Sequence, residues 1–252
     1  MNSAAIFDLD GTLADTALDL LNAGNLTFEE IGINYRLKEN RDEGISSKGG
    51  RSTIRQGLLQ DNGFIDEQLV ENLYPKFLKN YEKVIDDNSV LYEGTLEMLE
   101  YFKNNKIQLG VCTNKPKKQA DILLNKLGIH SFFEIIVGPD TYNCAKPNPK
   151  PLLKTIDNLG ATIKSTVFVG DTNTDYMTSK SAKVPFILLL YGHGVIHQSF
   201  DTSCTPHLAK TASEIIDITI KILKIRGDAM QNSVPKGEGG MVAVLGTTIG
   251  NI

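Results

Sequence analysis

The sequence predicts an α/β protein built on a parallel sheet, with a helical segment inserted after the first strand. Short, almost continuous apolar runs are typical of strands buried on both faces, as in parallel sheets. Such runs alternate with helical patterns and occupy residues 4–7, 107–112, 135–137, 166–169 and 186–190. Between the first two runs only helical patterns occur, over 17–31, 51–60 and 66–85. This order favours a core of residues 1–15 and 89–226 that carries a helical insertion of residues 16–88.

The helices of the core have their own boundary signals. Apolar residues at 96, 98, 99, 101 and 102 predict a helix over 95–104. Pro116 and Gly128 mark the beginning and the end of the next helix. The sequence TASE at 211–214 forms a capping box, which opens a last helix that runs to about Lys224.

The last part of the chain differs in composition from the rest. Residues 227–252 are rich in glycine and show little helical periodicity, so they predict a flexible tail. Within this tail, the sequence VAVL at 242–245 is a candidate edge strand.

The composition is that of a globular protein, since 41% of the 252 residues are hydrophobic. Its 26 basic and 30 acidic residues give a net charge of −4, which argues against a nucleic-acid partner. The three cysteines are widely separated and form no paired motif, which favours a reducing compartment. Because there is no leader pattern and no apolar run long enough to span a bilayer, we expect a cytoplasmic protein without a membrane partner.

Polar residues follow four of the predicted strands. They lie at residues 8–12, 113–114, 146 and 171–175. Ligands of open α/β sheets bind beyond the carboxyl ends of the strands. We therefore expect these four clusters to converge on one site.

The first cluster is the sequence DLDGT at 8–12. In extended backbone, residues two apart face the same side, so Asp8 and Asp10 would point into one site. Two adjacent carboxylates repel each other unless a cation lies between them or one of them holds a proton. The pair therefore indicates a Mg²⁺ site or a nucleophile with a neighbouring acid, against the simpler alternative of a solvated turn.

The other clusters each have an ordinary explanation beside the chemical one. Thr113 and Asn114 suit an oxyanion at a helix start, but such residues are also common helix caps. Lys146 is followed by prolines that stiffen its loop, although a lone lysine is usually a solvated charge. Asp171 and Asp175 either offer carboxylates to a hard cation such as Mg²⁺ or merely complement a helix dipole.

Taken in order, the four clusters resemble the motifs of the haloacid dehalogenase superfamily, in its phosphatase branch. That branch carries D-x-D-G-T, then Thr or Ser after a strand, then Lys, and then G-D-x-x-x-D. The resemblance covers about residues 4–224. It narrows to phosphoglycolate phosphatase-like members through GGR at 49–51, VCTNKP at 111–116 and KPNPKPL at 146–152. It implies a Rossmann-like parallel sheet core with an inserted helical cap.

One departure from the family pattern concerns the backbone. Lys183 stands where these proteins commonly have glycine. We therefore expect this lysine to adopt a positive φ, or the loop that contains it to differ from that of the family.

The resemblance also implies roles for the acidic residues. Asp8 would be the nucleophile that forms an aspartyl-phosphate, and Asp10 would serve as general acid and then as general base. Mg²⁺ would be held by Asp8, by the backbone carbonyl of Asp10 and by Asp171. Asp175 would support Lys146 or a metal-bound water.

The phosphate group has its own candidate residues. The resemblance implies that Thr113, Asn114 and Lys146 bind it. Aspartate at position 10 favours hydrolysis of a phosphate monoester or a phosphosugar mutase. The resemblance implies Tyr at this position in the dehalogenase branch and Ala in the phosphonatase branch.

The substrate remains open among several classes. A small phosphorylated metabolite is expected, with 2-phosphoglycolate as the leading candidate. The alternatives are a sugar phosphate, a nucleotide or pyrophosphate, a β-phosphoglucomutase-like reaction, and a regulatory protein without turnover. The sequence does not predict the oligomeric state.

The helical insertion supplies candidates for substrate recognition, namely Gly50, Arg51 and Arg55. Adjacent glycines at 49 and 50 allow the backbone to approach a ligand closely, and a guanidinium at a helix start favours an anion. We expect Arg51 or Arg55 to pair with the carboxylate of phosphoglycolate. The alternative is a flexible, solvated turn.

Overall fold

A computed structural model describes residues 2–39, 41–46, 48–197 and 207–232. Its main feature is a six-stranded sheet in which all neighbouring strands are parallel. The strands are β1 (Asn2–Phe7), β4 (Gln108–Cys112), β5 (Ile135–Val137), β6 (Ala161–Gly170), β7 (Phe186–Leu189) and β8 (Leu208–Ala209). Their order across the sheet is β5-β4-β1-β6-β7-β8. This arrangement confirms the α/β fold class that the sequence predicts.

Helices fill the intervals between the strands. They are α1 (Ala17–Glu30), α2 (Glu43–Ser46), α3 (Gly50–Asn62), α4 (Glu67–Val84), α5 (Thr95–Asn104), α6 (Lys117–Lys126), α7 (Lys150–Asn158), α8 (Asn173–Ala182), α9 (His193–His197) and α10 (Ala212–Asn232). A 3₁₀ turn, His130–Phe132, precedes β5.

The sheet is covered on both faces, as its continuous apolar strands require. Along β1, side chains point alternately to opposite faces. Ala4 and Ile6 belong to the apolar cluster that contains residues of α7 and α8. Ala5 and Phe7 belong to the larger cluster, which includes residues of α5, α6 and α10.

The segment between β1 and β4 is helical, and a short antiparallel ribbon lies at its base. The ribbon pairs β2 (Ala14–Asp15) with β3 (Val90–Leu91), so the two connections to the sheet run side by side. The buried carboxylate of Asp19 accepts hydrogen bonds from the backbone N–H groups of Asn88 and Ser89, which ties the second connection to α1. The ribbon lies where the sequence places the boundaries of the insertion, and the division into core and cap domains stays a prediction.

The end of the chain corrects one boundary. Helix α10 continues to Asn232, so the end predicted near Lys224 and a tail beginning at Gly227 were wrong. Glycine inside a helix costs only about 1 kcal/mol, which the rest of a helix can offset. Residues 233–252, and with them the candidate strand at 242–245, lie outside the described residues. Neither α10 nor any other described helix is long and apolar enough to cross a membrane.

Lys183 follows α8 with φ of 59° and ψ of 32°. This is the left-handed region, in which a side chain with a Cβ is strained. The expectation of a positive φ at this lysine is therefore confirmed.

Candidate functional site

The sequence clusters converge at the carboxyl ends of the central strands. Asp8 follows β1, Thr113 follows β4 and Asp171 follows β6, and β1 lies between the other two strands. A cavity of about 510 Å³ opens there. Among the residues that line it are Asp8, Asp10, Thr113, Asn114 and Lys146.

Lys146 lies between two carboxylates at the base of this cavity. Its Nζ is 2.8 Å from Oδ1 of Asp8 and donates a hydrogen bond of 2.5 Å to Oδ1 of Asp175. Burial disfavours the ammonium, but the two aspartates outweigh burial and raise the pKa of Lys146 above its usual value. The lysine is therefore a fixed positive charge beneath the position of Asp8.

Two side chains hold this arrangement in place. The Asn114 side chain forms two hydrogen bonds with the Lys146 backbone: its Nδ2 donates to the carbonyl and its Oδ1 accepts from the N–H. The Asn114 amide thus positions the lysine, and its predicted contact with phosphate stays a prediction. Asp175 takes part in a capping box with Thr172 at the start of α8, so both of its oxygens are engaged within the protein.

Asp171 occupies a small, closely surrounded space. Its Oδ1 accepts a hydrogen bond from the Thr12 hydroxyl, and its Oδ2 accepts one of 2.7 Å from the backbone N–H of Gly194. Gly11 has φ of 79°, and a Cβ at this residue would lie 2.4 Å from Oδ2 of Asp171. A Cβ at Gly192 would also collide with this aspartate, at 2.3 Å from its Cβ. Only glycine fits at these two positions.

The acidic residues are grouped as a cation site requires. Asp8, Asp171 and Asp175 are buried, and each has a carboxylate oxygen within 4.8 Å of those of the other two. Burial, followed by repulsion from Asp175 and Asp8, raises the pKa of Asp171 to about 8. Burial also raises the pKa of Asp8, although Lys146 opposes the shift. A divalent cation bound by carboxylate oxygens would offset the cost of burying these negative charges and would reduce the repulsion between them. These residues therefore fit Mg²⁺.

Asp10 lies at the edge of the same cavity. Its Oδ1 accepts a hydrogen bond of 2.6 Å from the Thr16 hydroxyl and lies 3.0 Å from Nζ of Lys115. Lys115 also donates a hydrogen bond of 2.6 Å to the hydroxyl of Tyr81, on α4. Burial opposes the charge of Lys115, yet Asp10 and Tyr81 raise its pKa.

The three cap candidates are placed differently from one another. Gly50 and Arg51 line the cavity, whereas Arg55 is not among its lining residues. Arg51 donates two hydrogen bonds to Glu71, and its guanidinium lies 3.6 Å from the centre of the Tyr74 ring.

Gly50 and Arg55 have structural partners of their own. A Cβ at Gly50 would lie 2.3 Å from the Phe77 ring, so helix packing accounts for this glycine. Arg55 pairs with Glu67 through its Nε and Nη2 groups. Contact of Gly50, Arg51 or Arg55 with a substrate stays a prediction.

Sequence reasoning did not single out several residues of the site. Lys115 directly follows Thr113 and Asn114, and its position after a strand was the available signal. Thr12 is part of the DLDGT motif, but no pattern in the sequence pairs it with Asp171. Tyr81 is an apolar-face residue of α4, and nothing in its spacing distinguishes it from a core tyrosine.

The fold and the site define a class of enzyme: an α/β protein whose carboxylates and fixed lysine meet at the carboxyl edge of a parallel sheet. The family described as haloacid dehalogenase-like hydrolase matches residues 5–189. This match spans well over half of the chain, and the chain belongs to that family.

Similar proteins narrow the class. A phosphoglycolate phosphatase of Agrobacterium fabrum is 32% identical over 193 residues, which are 77% of this chain and 82% of the relative. One of Rhodospirillum rubrum is 34% identical over 197 residues, 77% of this chain and 81% of the relative. Within its family, the chain is therefore an enzyme of the phosphatase type.

Solved structures agree on the fold. One from Haemophilus somnus, described as a predicted phosphoglycolate phosphatase, has a TM-score of 0.75 and covers 86% of this chain and 98% of its own. At 24% sequence identity, this similarity concerns the fold alone.

Proposed function

We propose that this enzyme is a Mg²⁺-dependent phosphatase that hydrolyses 2-phosphoglycolate to glycolate and phosphate. The observation that carries the proposal is the position of Lys146. Its ammonium lies 2.8 Å from the carboxylate of Asp8 at the base of the cavity, with Asp171 and Asp175 beside it. Phosphoryl transfer depends mainly on positioning and on neutralising the charge of the transferred group, which this arrangement can supply.

The first half-reaction transfers the phosphoryl group to Asp8. A carboxylate oxygen of Asp8 attacks phosphorus, and the bond from phosphorus to the ester oxygen breaks. Asp10 gives its proton to the departing oxygen, so that glycolate leaves as the alcohol. Lys146 and Thr113 hold the non-bridging oxygens during the transfer.

The second half-reaction releases phosphate. Asp10, now ionised, takes a proton from a water molecule while the water oxygen attacks phosphorus. The bond from phosphorus to Asp8 breaks, which restores the Asp8 carboxylate and returns Asp10 to its protonated form. Both steps therefore use the same two residues and need no further reactant.

Asp8, Asp171 and the backbone carbonyl of Asp10 would hold Mg²⁺, which supplies positive charge opposite the phosphate. Asp175 supports Lys146 instead, since one of its oxygens is paired with the buried Lys146 ammonium, which would repel a cation bound at the same oxygen. The glycines around Asp171 support its role as a metal ligand. Gly11 and Gly192 leave room for its side chain, and the backbone N–H of Gly194 holds its carboxylate in place.

The substrate proposal rests on two further points. A cavity of about 510 Å³ is of the size that small metabolites occupy. The curated relatives named above are phosphoglycolate phosphatases. Placement in the cytoplasm stays a prediction.

The test is a screen for released phosphate over a panel of esters with Mg²⁺. The panel contains 2-phosphoglycolate, ethyl phosphate, a hexose phosphate, a nucleoside monophosphate and pyrophosphate. We expect the highest kcat/KM for 2-phosphoglycolate, and we expect Asp8→Asn to release no measurable phosphate from any ester in the panel. A hexose phosphate or pyrophosphate hydrolysed faster would refute the substrate, and phosphate that remains on an isomerised sugar would indicate a mutase.

A further inference from the structure

Lys115 is a second buried cation in the cavity, with no role in the mechanism above. It follows Asn114 at the carboxyl end of β4 and is 6% exposed, yet it is among the residues that line the cavity. Its Nζ lies 3.0 Å from Oδ1 of Asp10 and donates to the hydroxyl of Tyr81. The same Nζ is 4.2 Å from the centre of the Tyr81 ring. A side chain of the helical segment therefore fixes this ammonium beside the proposed acid.

An ammonium group has three N–H donors. Among the residues that the structure describes, Tyr81 and Asp10 account for two of them, which leaves one donor for a ligand in the cavity that Lys115 lines. A buried, desolvated charge attracts an anion more strongly than an exposed one does, because the surrounding dielectric constant is lower.

The position of Asp10 defines what that ligand group would be. To protonate the leaving group, Asp10 must lie within about 2.6–3.2 Å of the ester oxygen. In 2-phosphoglycolate a single carbon separates the ester oxygen from the carboxyl carbon, so the carboxylate lies about 3 Å from the ester oxygen. A cation 3.0 Å from Asp10 is therefore within reach of this carboxylate when the substrate lies with its carboxylate on the Lys115 side of Asp10.

Arg51 is the alternative partner in the cavity, and its situation is less favourable. Its guanidinium already donates two hydrogen bonds to Glu71 and stacks on Tyr74. Its side chain is 43% exposed, so water competes for any anion that it binds.

We propose that Lys115, held by Tyr81, binds the carboxylate of the substrate and selects phosphate esters in which that carboxylate is one carbon from the ester oxygen. The proposal rests on the proposed phosphatase function and adds the residue that determines its specificity. Lys115 takes no part in breaking or forming the bonds to phosphorus.

The test compares 2-phosphoglycolate with ethyl phosphate, in which a methyl group replaces the carboxylate. The ratio of the two kcat/KM values measures recognition of the carboxylate and cancels effects on the shared chemistry. With Lys115→Met we expect this ratio to fall about 10- to 150-fold, as for loss of a hydrogen bond between charged groups. The fall should appear mainly as a higher KM for 2-phosphoglycolate. Equal losses on both substrates, or no loss on either, would overturn the proposal.

Three further variants control this experiment. Lys118→Met is the matched control, because Lys118 lies on α6 with its side chain 69% exposed and paired with Glu82, and it should leave the ratio unchanged. Lys115→Gln keeps hydrogen-bonding capacity without the charge, and it replaces Lys115→Met if that variant does not fold. Arg51→Met tests the alternative: a ratio lowered by this change and not by the Lys115 variants would assign the carboxylate to Arg51.

Inhibition by glycolate tests carboxylate binding by Lys115 independently of whether 2-phosphoglycolate is the substrate. If the parent enzyme hydrolyses an aryl phosphate but shows no preference for 2-phosphoglycolate, the substrate proposal is wrong. The inhibition constant of glycolate against aryl phosphate hydrolysis then decides the role of Lys115. We expect it to rise at least about tenfold in Lys115→Met, and an unchanged constant would reject carboxylate binding by Lys115.

Discussion

The two walls of the cavity hold their cations in different ways. On the sheet side, the Lys146 side chain is 2% exposed and lies between Asp8 and Asp175, which come from separate parts of the chain. On the helical side, Arg51 pairs with Glu71 at the surface, where the two side chains are 43% and 50% exposed. Buried charges depend on their partners, whereas exposed pairs contribute little because water and salt screen them.

This difference predicts that the two walls tolerate substitution differently. A lysine fixed from both sides can hold a phosphoryl group at a defined position, and its loss leaves two carboxylates without a partner. An exposed arginine can be exchanged at small cost to stability. We therefore expect substitutions on the sheet wall to affect both stability and activity, and substitution of Arg51 to affect stability little.

The largest expected effect is on the sheet wall, at the proposed nucleophile. Asp8→Asn should lower kcat at least about 10³-fold, because an amide does not form the covalent intermediate. Since burial already raises the pKa of Asp8, removal of its charge should leave the protein folded. Steady-state kinetics and thermal denaturation check both parts. A variant that retains a tenth of the parent activity would show that Asp8 is not the nucleophile.

The next prediction compares the two walls by the stability of one variant in each. Lys146→Met should cost about 3–5 kcal/mol, because it leaves Asp8 and Asp175 buried without a cation. For a chain of this size that is a fall in melting temperature of roughly 6–20 °C. Arg51→Met is the matched change on the helical wall and should lower the melting temperature by about 4 °C at most. Similar falls in the two variants would break the comparison.

A third prediction concerns pH and Mg²⁺. The pKa of Asp171 is about 8 in the folded chain and 3.8 in an unfolded one, so the native state binds the extra proton in between. Without metal, the free energy of unfolding should therefore decrease as the pH rises from about 4 to about 8. Mg²⁺ needs the ionised carboxylate, so its affinity should increase over the same range. Urea denaturation and calorimetry at several pH values measure the two trends.

Asp171→Asn is the control for this third prediction. It should flatten the dependence of stability on pH and weaken Mg²⁺ binding. Full activity in excess chelator, or Mg²⁺ affinity that does not change with pH, would contradict the assignment of Asp171 to a cation site.

The smallest expected effect lies away from both walls. Lys183 has a positive φ and an exposed side chain, so Lys183→Gly should remove backbone strain of about 1 kcal/mol and leave kcat unchanged. The melting temperature should rise by about 2–4 °C. An unchanged or lower value would show that the lysine side chain offsets the strain.

The sequence by itself determined the class of fold and the elements that build it. Apolar runs and helix boundary signals predicted β1, β4, β5, β6 and β7, because burial on both faces leaves a local pattern. It did not predict β8 or the β2–β3 ribbon, since strands of two residues carry no periodicity. The end of α10 was also missed, because a single glycine such as Gly227 costs a helix only about 1 kcal/mol and so does not have to end it.

For the site, the sequence predicted which residues carry chemistry, since Asp8, Asp10 and Lys146 occur in motifs with recognisable spacing, and the structure brings these three residues to one cavity. Only the tertiary structure placed Lys115 beside Asp10, through a contact with Tyr81 that spans 34 residues of chain. Likewise, only the structure showed that Arg51 already has an acidic partner. The physical reason is that a motif reflects local backbone geometry, whereas the charge and the free hydrogen-bonding capacity of a side chain depend on neighbours that are distant in the sequence.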